Sequence, residues 1–155
     1  MSEHIATIKW QKKQNELFVD NKYSRCHEWK FDGGVSFAAS PSPQVVPMPY
    51  SDERFVDPEE AFVASLSSCH MLFFLQIAAK EGFVVQSYVD DAVGYMGKNE
   101  SGNISMLKVS LRPLIEFSGE NIPLTDKLEA MHHKAHSLCF LANSVKTEVV
   151  TEIRT

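Results

Sequence analysis

The alternation of apolar and polar positions predicts short strands in the first third of the chain. Residues 5–10, 27–31 and 35–39 have strand composition, and a tight turn is predicted at residues 32–34, "DGG". Residues 40–50, "SPSPQVVPMPY", contain four prolines. Proline lacks a backbone N–H and disrupts helices and central strands, so this segment is predicted to be a loop.

The apolar pattern then lengthens, which predicts a long helix. Residues 61–79 contain no Asp, Glu, Lys or Arg. Upstream, Asp57 is placed to cap the first free N–H groups, Pro58 suits the first helical position, and Glu60 completes a capping box. Gly82 is expected to end the helix. The serines, His70 and Gln76 within it would each need a partner in lipid, so a buried helix of a soluble protein is predicted.

This helix has no charged face between its ends. Phe62, Leu66, Cys69 and Phe73 share one stripe, and the remaining faces are apolar or small. A domain of this size rarely surrounds such a helix alone. We therefore expect it to be buried on all sides, with a second chain contributing part of the cover.

The second half of the chain predicts hairpins, a second helix and a last strand. Two long strands within residues 87–117 are joined around residues 99–103, a helix covers 123–141, and a strand covers 144–153. The predicted order is β-β-β-α-β-β-α-β. Hairpins with separate helices indicate an α+β fold, predicted as a single domain over residues 1–155.

Composition narrows the function classes. The 155 residues are 44% hydrophobic with a net charge of −5, typical of a soluble globular protein, and no Lys/Arg block favours nucleic acid or an anionic membrane. The first residues, "MSEHIATIKW", do not resemble a secretory signal. Three cysteines without dense spacing argue against a disulfide framework. A cytoplasmic protein is predicted, in which any disulfide is more often catalytic than structural.

Two cysteines carry candidate chemistry. Cys69 lies mid-helix and Cys139 lies near the end of the second helix, 70 positions later. Each can be a small core residue, which free cysteine often is. Alternatively, Cys69 is a nucleophile and Cys139, at a helix end that frays, resolves its sulfenic acid into a disulfide. Cys26 has no apparent partner.

A reactive thiol needs a cation to hold it as thiolate, and a carboxylate can orient that cation. Arg25 and Arg54 are the candidates, although arginine is more often an exposed surface charge. Glu59 precedes Cys69 by ten positions, about 15 Å along a helix. Glu59 therefore has two possible roles. Its carboxylate either stabilises the helix by interacting with the helix dipole in the first turn, or reaches the Cys69 of a second chain.

Two other kinds of chemistry compete with a redox pair. Glu129, His132 and His136 share one face of the second helix and could bind a metal ion. Cysteine acyl transfer ranks lower, because no oxyanion-type glycine turn precedes Cys69 or Cys139. A dimer that binds apolar molecules without catalysis also stays open. Separately, Met48, Tyr50, Phe62, Phe73 and Phe140 are candidates for the apolar wall of a substrate pocket, or are ordinary core residues.

In two segments the sequence resembles the OsmC/Ohr family of thiol peroxidases. These are "DPEEAFVASLSSCHMLFFL" and "AHSLCFLANSVKTEV", which carry the two cysteines. The resemblance covers nearly the whole chain. It implies an intertwined homodimer with two long central helices and interfacial active sites, which reduces organic hydroperoxides without a cofactor. It also implies an external thiol reductant, such as a lipoylated protein or a small dithiol.

By position, the resemblance makes Cys69 the peroxidatic thiol, Cys139 the resolving thiol and Glu59 the carboxylate. For the arginine it offers two positions, and we prefer Arg25 to Arg54. The chain departs from the family pattern after Arg25, and "SSCHM" differs from the Ala-Cys-Phe of the well-known branches. It therefore resembles a third, less characterised branch.

Overall fold

A computed structural model describes residues 1–154, which form eight strands, two α-helices and a short 3-10 helix. In chain order these are β1 (Ala6–Lys9), β2 (His27–Phe31), β3 (Ser36–Ala39), α1 (Pro58–Lys80), β4 (Val84–Asp90), β5 (Val93–Lys98), β6 (Ile104–Leu111), β7 (Pro113–Ser118), α2 (Thr125–Leu138), the 3-10 turn Ala142–Ser144 and β8 (Glu148–Thr151). The predicted α+β class is confirmed.

The two long strands predicted between the helices are four shorter ones. β4 pairs with β7, whereas β5 pairs with β6, which pairs in parallel with β8. Asp90 fixes the corner between the two sheets, because its carboxylate accepts the backbone N–H of Arg112 at 2.6 Å and the hydroxyl of Ser67. Pro113, which has no N–H to donate, starts β7 immediately after this corner.

Residues Met1–Ala61 form one compact unit. Its sheet is antiparallel in the order β1-β2-β3, with Trp29 of β2 opposite Phe37 of β3. The proline-rich stretch after β3 forms a loop, as predicted, before α1 begins. A second compact unit starts at Phe62. The single domain over residues 1–155 stays a prediction.

The signals at both ends of α1 act as predicted. The backbone N–H of Glu60 donates to Asp57 Oδ1 at 2.7 Å, and the N–H of Asp57 donates back to Glu60 Oε2 at 3.3 Å. At the other end Gly82 has φ +80°, a left-handed conformation that costs little only for glycine. Helix α1 therefore starts and stops where its own sequence directs.

The core of the second unit lies between α1, α2 and the strands. Its buried members are Phe74, Ile77, Ala78, Met131 and Ala135 in one cluster, and Leu66, Val109 and Leu111 in another. Helix α1 buries only one face within the chain, so the expected cover by a second chain stays a prediction. The opposite face exposes a stripe of small and apolar residues, namely Ala64, Ser65, Ser68 and Leu72.

Helix α1 is also the one helix within residues 1–154 that is long and apolar enough to cross a membrane. A core helix meets the same two criteria. The buried side chains of Leu66, Phe74 and Ile77 pack in the two core clusters described above, which is the behaviour of a core helix.

Candidate functional site

The structure brings together the side chains of Cys69 and Cys139, which lie 70 positions apart in the sequence. Cys69 is partly exposed on α1, Cys139 is buried, and both are free thiols. Burial raises the pKa of Cys139, and the neighbouring Cys69 side chain raises it further. The two side chains are therefore close to one another.

Cys139 lies just outside α2, because the helix ends at Leu138 and not at residue 141 as predicted. Its φ and ψ of −64° and 110° are extended, although its N–H still donates to the carbonyl oxygen of Ala135 at 3.0 Å. Its Sγ accepts the N–H of Ala142 at 3.4 Å. Cys139 is therefore held by a non-helical turn, which can rearrange more easily than a helix interior.

The buried thiol of Cys139 is a poor nucleophile by itself. Burial, followed by the effect of the neighbouring Cys69 side chain, raises its pKa to about 11. At pH 8 only about one molecule in a thousand would then carry the Cys139 thiolate.

We therefore predict that iodoacetamide at pH 8 alkylates the reduced native protein at Cys69 and Cys26 much faster than at Cys139. The partly exposed positions of Cys26 and Cys69 allow access, whereas Cys139 is both buried and protonated. Peptide mass spectrometry of a time course measures each rate. Equal rates in the native protein, with the denatured protein as reference, would contradict a buried and protonated Cys139.

Arg25 lies in the loop between β1 and β2, within the first unit. Its Nη1 donates to the carbonyl oxygens of Asn21 at 3.0 Å and Tyr23 at 2.6 Å. Its Cζ lies 3.9 Å from the centroid of the Tyr23 ring, a cation–π distance. Among residues 1–154 Arg25 forms no salt bridge with a carboxylate. Its position is fixed, but its charge is not neutralised.

Arg54, the other candidate, is already paired. Its Nε donates to Asp52 Oδ1 at 2.9 Å and its Nη2 to Asp52 Oδ2 at 2.6 Å. These bonds lower the pKa of Asp52 to about 2. The Arg54 side chain is 78% exposed. Cys26 is close enough to raise the pKa of Arg54 slightly, after the larger effect of Asp52.

Glu59 lies in the first turn of α1, and Cys69 follows ten residues later on the same helix. Glu59 does not take part in the capping box, since Glu60 supplies its carboxylate. About 15 Å of helix separates the two positions. The structure of one chain therefore leaves open the predicted role of Glu59 towards a second chain.

The sequence analysis missed a buried pair of histidines, His70 and His132. His70 Nε2 and His132 Nδ1 are 2.9 Å apart, and the residues are 1% and 3% exposed. The His132 ring also stacks on Phe74, with 4.3 Å between ring centroids. The available signal was the position of His70 in a run without Asp, Glu, Lys or Arg. The spacing of His132 with Glu129 and His136 instead predicted a metal ligand.

No three His, Cys, Asp or Glu side chains within residues 1–154 are arranged to hold a metal ion. Glu129, His132 and His136 do line a cleft of about 540 Å³ between α2 and the last strand. The apolar side chains of Val149 and Ile153 form part of its opposite wall. His132 Nε2, which has no partner among the described atoms, is the buried polar atom on this side.

Both imidazoles are held neutral. Burial is the first cause in each case, and it lowers the pKa of His70 to about 4 and that of His132 to about 3. Since the unfolded pKa is near 6.5, the unfolded chain binds more protons in acid.

We predict that acid destabilises the fold through these two rings. Their contribution is fully present above pH 6.5 and is lost as the pH falls from 6.5 towards about 4 and about 3. The loss is on the order of 3 kcal/mol for one ring. Urea unfolding at fixed protein concentration from pH 7.5 to 4 measures it. A double variant, His70→Leu with His132→Leu, should flatten the profile in this window; an unchanged profile would contradict the assignment.

Aromatic side chains lie on α1 and in the turn that follows α2. The Phe73 and Phe140 rings meet edge to face, with 5.0 Å between centroids, and Phe140 is 72% exposed. Phe62 packs against the second core cluster instead, and Met48 and Tyr50 lie in the first unit. Of the five predicted wall residues, Phe73 lies four residues after Cys69 and Phe140 lies directly after Cys139.

The chain is an α+β protein with two neighbouring free thiols. Comparison with known proteins gives its family. The family model described as "OsmC-like protein" matches residues 51–154. The chain therefore belongs to the OsmC-like family, as the resemblance indicated. None of the curated proteins compared with the chain is similar to it.

Solved structures agree with this assignment. An OsmC-like protein of unknown function from Vibrio cholerae is 60% identical, with a TM-score of 0.98 over 99% of this chain and 100% of that chain. An organic hydroperoxide resistance protein from Elizabethkingia anophelis is 17% identical, with a TM-score of 0.70 over 99% and 94%. OhrB of Bacillus subtilis is 15% identical, with a TM-score of 0.63 over 99% and 98%. The last two similarities establish the fold alone.

Proposed function

We propose that this protein is a cysteine-based peroxidase that reduces organic hydroperoxides, with Cys69 as the peroxidatic and Cys139 as the resolving thiol. The observation that carries the proposal is that these two side chains, 70 positions apart in the sequence, are close enough for Cys69 to raise the pKa of Cys139. Core filler needs no second sulfur, whereas a redox pair needs two sulfur atoms close together. Proteins named for organic hydroperoxide resistance share the fold, which supports the substrate class.

The proposed reaction starts with attack of the Cys69 thiolate on the distal oxygen of R–O–OH. The O–O bond breaks, the alkoxide takes a proton and leaves as R–OH, and Cys69 becomes a sulfenic acid. The Cys139 thiol then condenses with it, so that an S–S bond forms and water leaves. An external dithiol, from a lipoylated protein or a small molecule, reduces the disulfide and becomes a disulfide itself.

The activating groups in this proposal are Arg25 and Glu59. Arg25 is anchored by Asn21 and Tyr23 and carries a charge that no carboxylate within residues 1–154 neutralises, whereas Asp52 already occupies the fork of Arg54. A guanidinium stabilises a nearby thiolate. Glu59 would orient Arg25 beside the Cys69 of a second chain.

A homodimer is therefore part of the proposal. The exposed stripe on α1 contains small residues, Ala64, Ser65 and Ser68, followed by Leu72, which is 61% exposed. Small side chains let a second helix approach closely, and an antiparallel pair across a two-fold axis would bring each Glu59 towards the partner's thiol. The setting we propose is a cytoplasmic antioxidant stress response.

The apolar surface near the turn after α2 supports an alkyl or lipid-like hydroperoxide over hydrogen peroxide. Phe140 is largely exposed and contacts Phe73. Each methylene of a substrate buried there would favour binding by roughly 0.8 kcal/mol. Affinity is thus expected to rise with the length of the alkyl chain.

Intact-mass spectrometry with thiol counting tests the proposal. One equivalent of cumene hydroperoxide should remove two thiols and lower the mass by two hydrogen atoms, with Cys69 and Cys139 linked in the peptide map. Cys69→Ser should block the loss. If both thiols stay free while peroxide persists, the proposal fails, and an apolar-ligand-binding dimer becomes the better description. Retention of a divalent ion that a chelator removes would instead favour metal binding.

A pair of arginine variants tests the activating group. Arg25→Gln is expected to slow sulfenic acid formation by about 100-fold, the loss typical when one charge-stabilising donor is removed. Arg54→Gln should have little effect, because Arg54 is exposed and bound to Asp52. Stopped-flow measurement of the first oxidation step compares them. The opposite ranking would transfer the role to Arg54.

A further inference from the structure

A hydrogen bond joins α1, which carries Cys69, to α2, which ends one residue before Cys139. His70 Nε2 and His132 Nδ1 lie 2.9 Å apart, and the two rings are nearly parallel, at 8°. His70 directly follows Cys69 on α1. His132 precedes Cys139 by seven residues, about 10 Å along α2.

This contact is the single hydrogen bond that each ring makes. His70 Nδ1 and His132 Nε2, the two outer nitrogen atoms, are buried and have no partner within residues 1–154. A neutral pair carries one proton per ring, so either ring can donate while the other accepts. The imidazoles thus lose two possible hydrogen bonds on burial and keep the one that spans α1 and α2.

Burying this pair costs free energy, because two polar ring nitrogens lose their hydrogen bonds to water. The surrounding residues, Phe74, Ile77, Met131 and Ala135, already pack α1 against α2 without polar groups. Replacing a buried polar pair with apolar residues of similar volume is often neutral or stabilising. A hydrogen bond adds what apolar packing lacks, namely one fixed distance between two named positions on the helices.

We propose that His70 and His132 are positioning residues for the disulfide-forming step. Their hydrogen bond fixes α1 against α2, so that the turn bearing Cys139 is the part that moves towards Cys69. The core packing alone permits small shifts between the helices, which would lower the effective concentration of one thiol at the other. This inference rests on the proposed redox role of the two cysteines.

The test compares the effective concentration of the Cys69–Cys139 pair in several variants. Each protein is equilibrated with mixtures of reduced and oxidised glutathione, so no peroxide is needed. His70→Leu and His132→Leu should lower the effective concentration by about tenfold, which corresponds to 1.4 kcal/mol. His132→Asn, whose amide can replace Nδ1, should restore most of the loss. His133→Leu, the adjacent exposed position on α2, is the matched control and should change nothing.

Urea unfolding at neutral pH separates positioning from stability. The double variant, His70→Leu with His132→Leu, is expected to unfold at the same or higher urea concentration, because it leaves no buried ring nitrogen without a partner. Its disulfide should still form less readily, and excess hydroperoxide should convert more of its Cys69 to sulfinic acid. If the leucine variants are folded and their effective concentration equals that of the wild type, the inference is wrong. If the wild type itself forms no Cys69–Cys139 disulfide, it is the proposed function that fails.

Discussion

Replacing Cys69 with serine is expected to reduce hydroperoxide consumption to the uncatalysed rate, a loss of at least about a thousandfold. A serine hydroxyl is not ionised near neutral pH and does not form a sulfenic acid equivalent, so the first step has no nucleophile. The substitution removes one sulfur atom from a partly exposed position and should leave the fold intact. Consumption of cumene hydroperoxide with excess dithiothreitol measures the rate, and circular dichroism checks folding.

Two other cysteine variants make this result specific. Cys26→Ser should retain nearly full activity, because Cys26 lies in the first unit beside Arg54 and has no sulfur partner. Cys139→Ser, measured without dithiothreitol, should consume one equivalent of peroxide to form the sulfenic acid of Cys69 and a second equivalent to form the sulfinic acid, and then stop. Full activity of Cys69→Ser, or its loss in Cys26→Ser, would assign the chemistry to another thiol.

The sequence predicted those parts of the fold that depend on local signals. Asp57, Pro58 and Glu60 define the start of α1, and Gly82 defines its end, because capping needs only neighbours in sequence. The contact between Cys69 and Cys139 was also anticipated, although only the resemblance to a family chose a redox pair over core filler. Periodicity alone cannot bring together two positions 70 residues apart.

Other features depend on contacts that no local pattern contains. Asp90 breaks two predicted strands into four because its carboxylate binds the N–H of Arg112, 22 residues away. His70 and His132 pair over 62 residues, and from sequence each was judged by its own neighbours alone. These two misses share a cause, because in each case the partner lies elsewhere in the fold. The predicted cover of the exposed stripe on α1 by a second chain stays a prediction.

Variants of Glu59 test whether a second chain contributes to the Cys69 site. Glu59 and Cys69 occupy one continuous helix, with about 15 Å between them, so a Glu59 that serves the thiol site must serve a partner's Cys69. In this arrangement every complete site combines Cys69 of one protomer with Glu59 of the other. Neither Glu59→Gln nor Cys69→Ser should be active as a homodimer.

A heterodimer of these two inactive variants is expected to recover about half of the wild-type activity, because one of its two sites combines an intact Cys69 with an intact Glu59. Co-expression with two different affinity tags yields the heterodimer. The reciprocal control joins a wild-type chain to one that carries both substitutions, and it should be inactive, since the remaining Cys69 then faces Gln. If the control has half activity and the first heterodimer has none, Glu59 acts within its own chain and the crossed-helix arrangement is wrong.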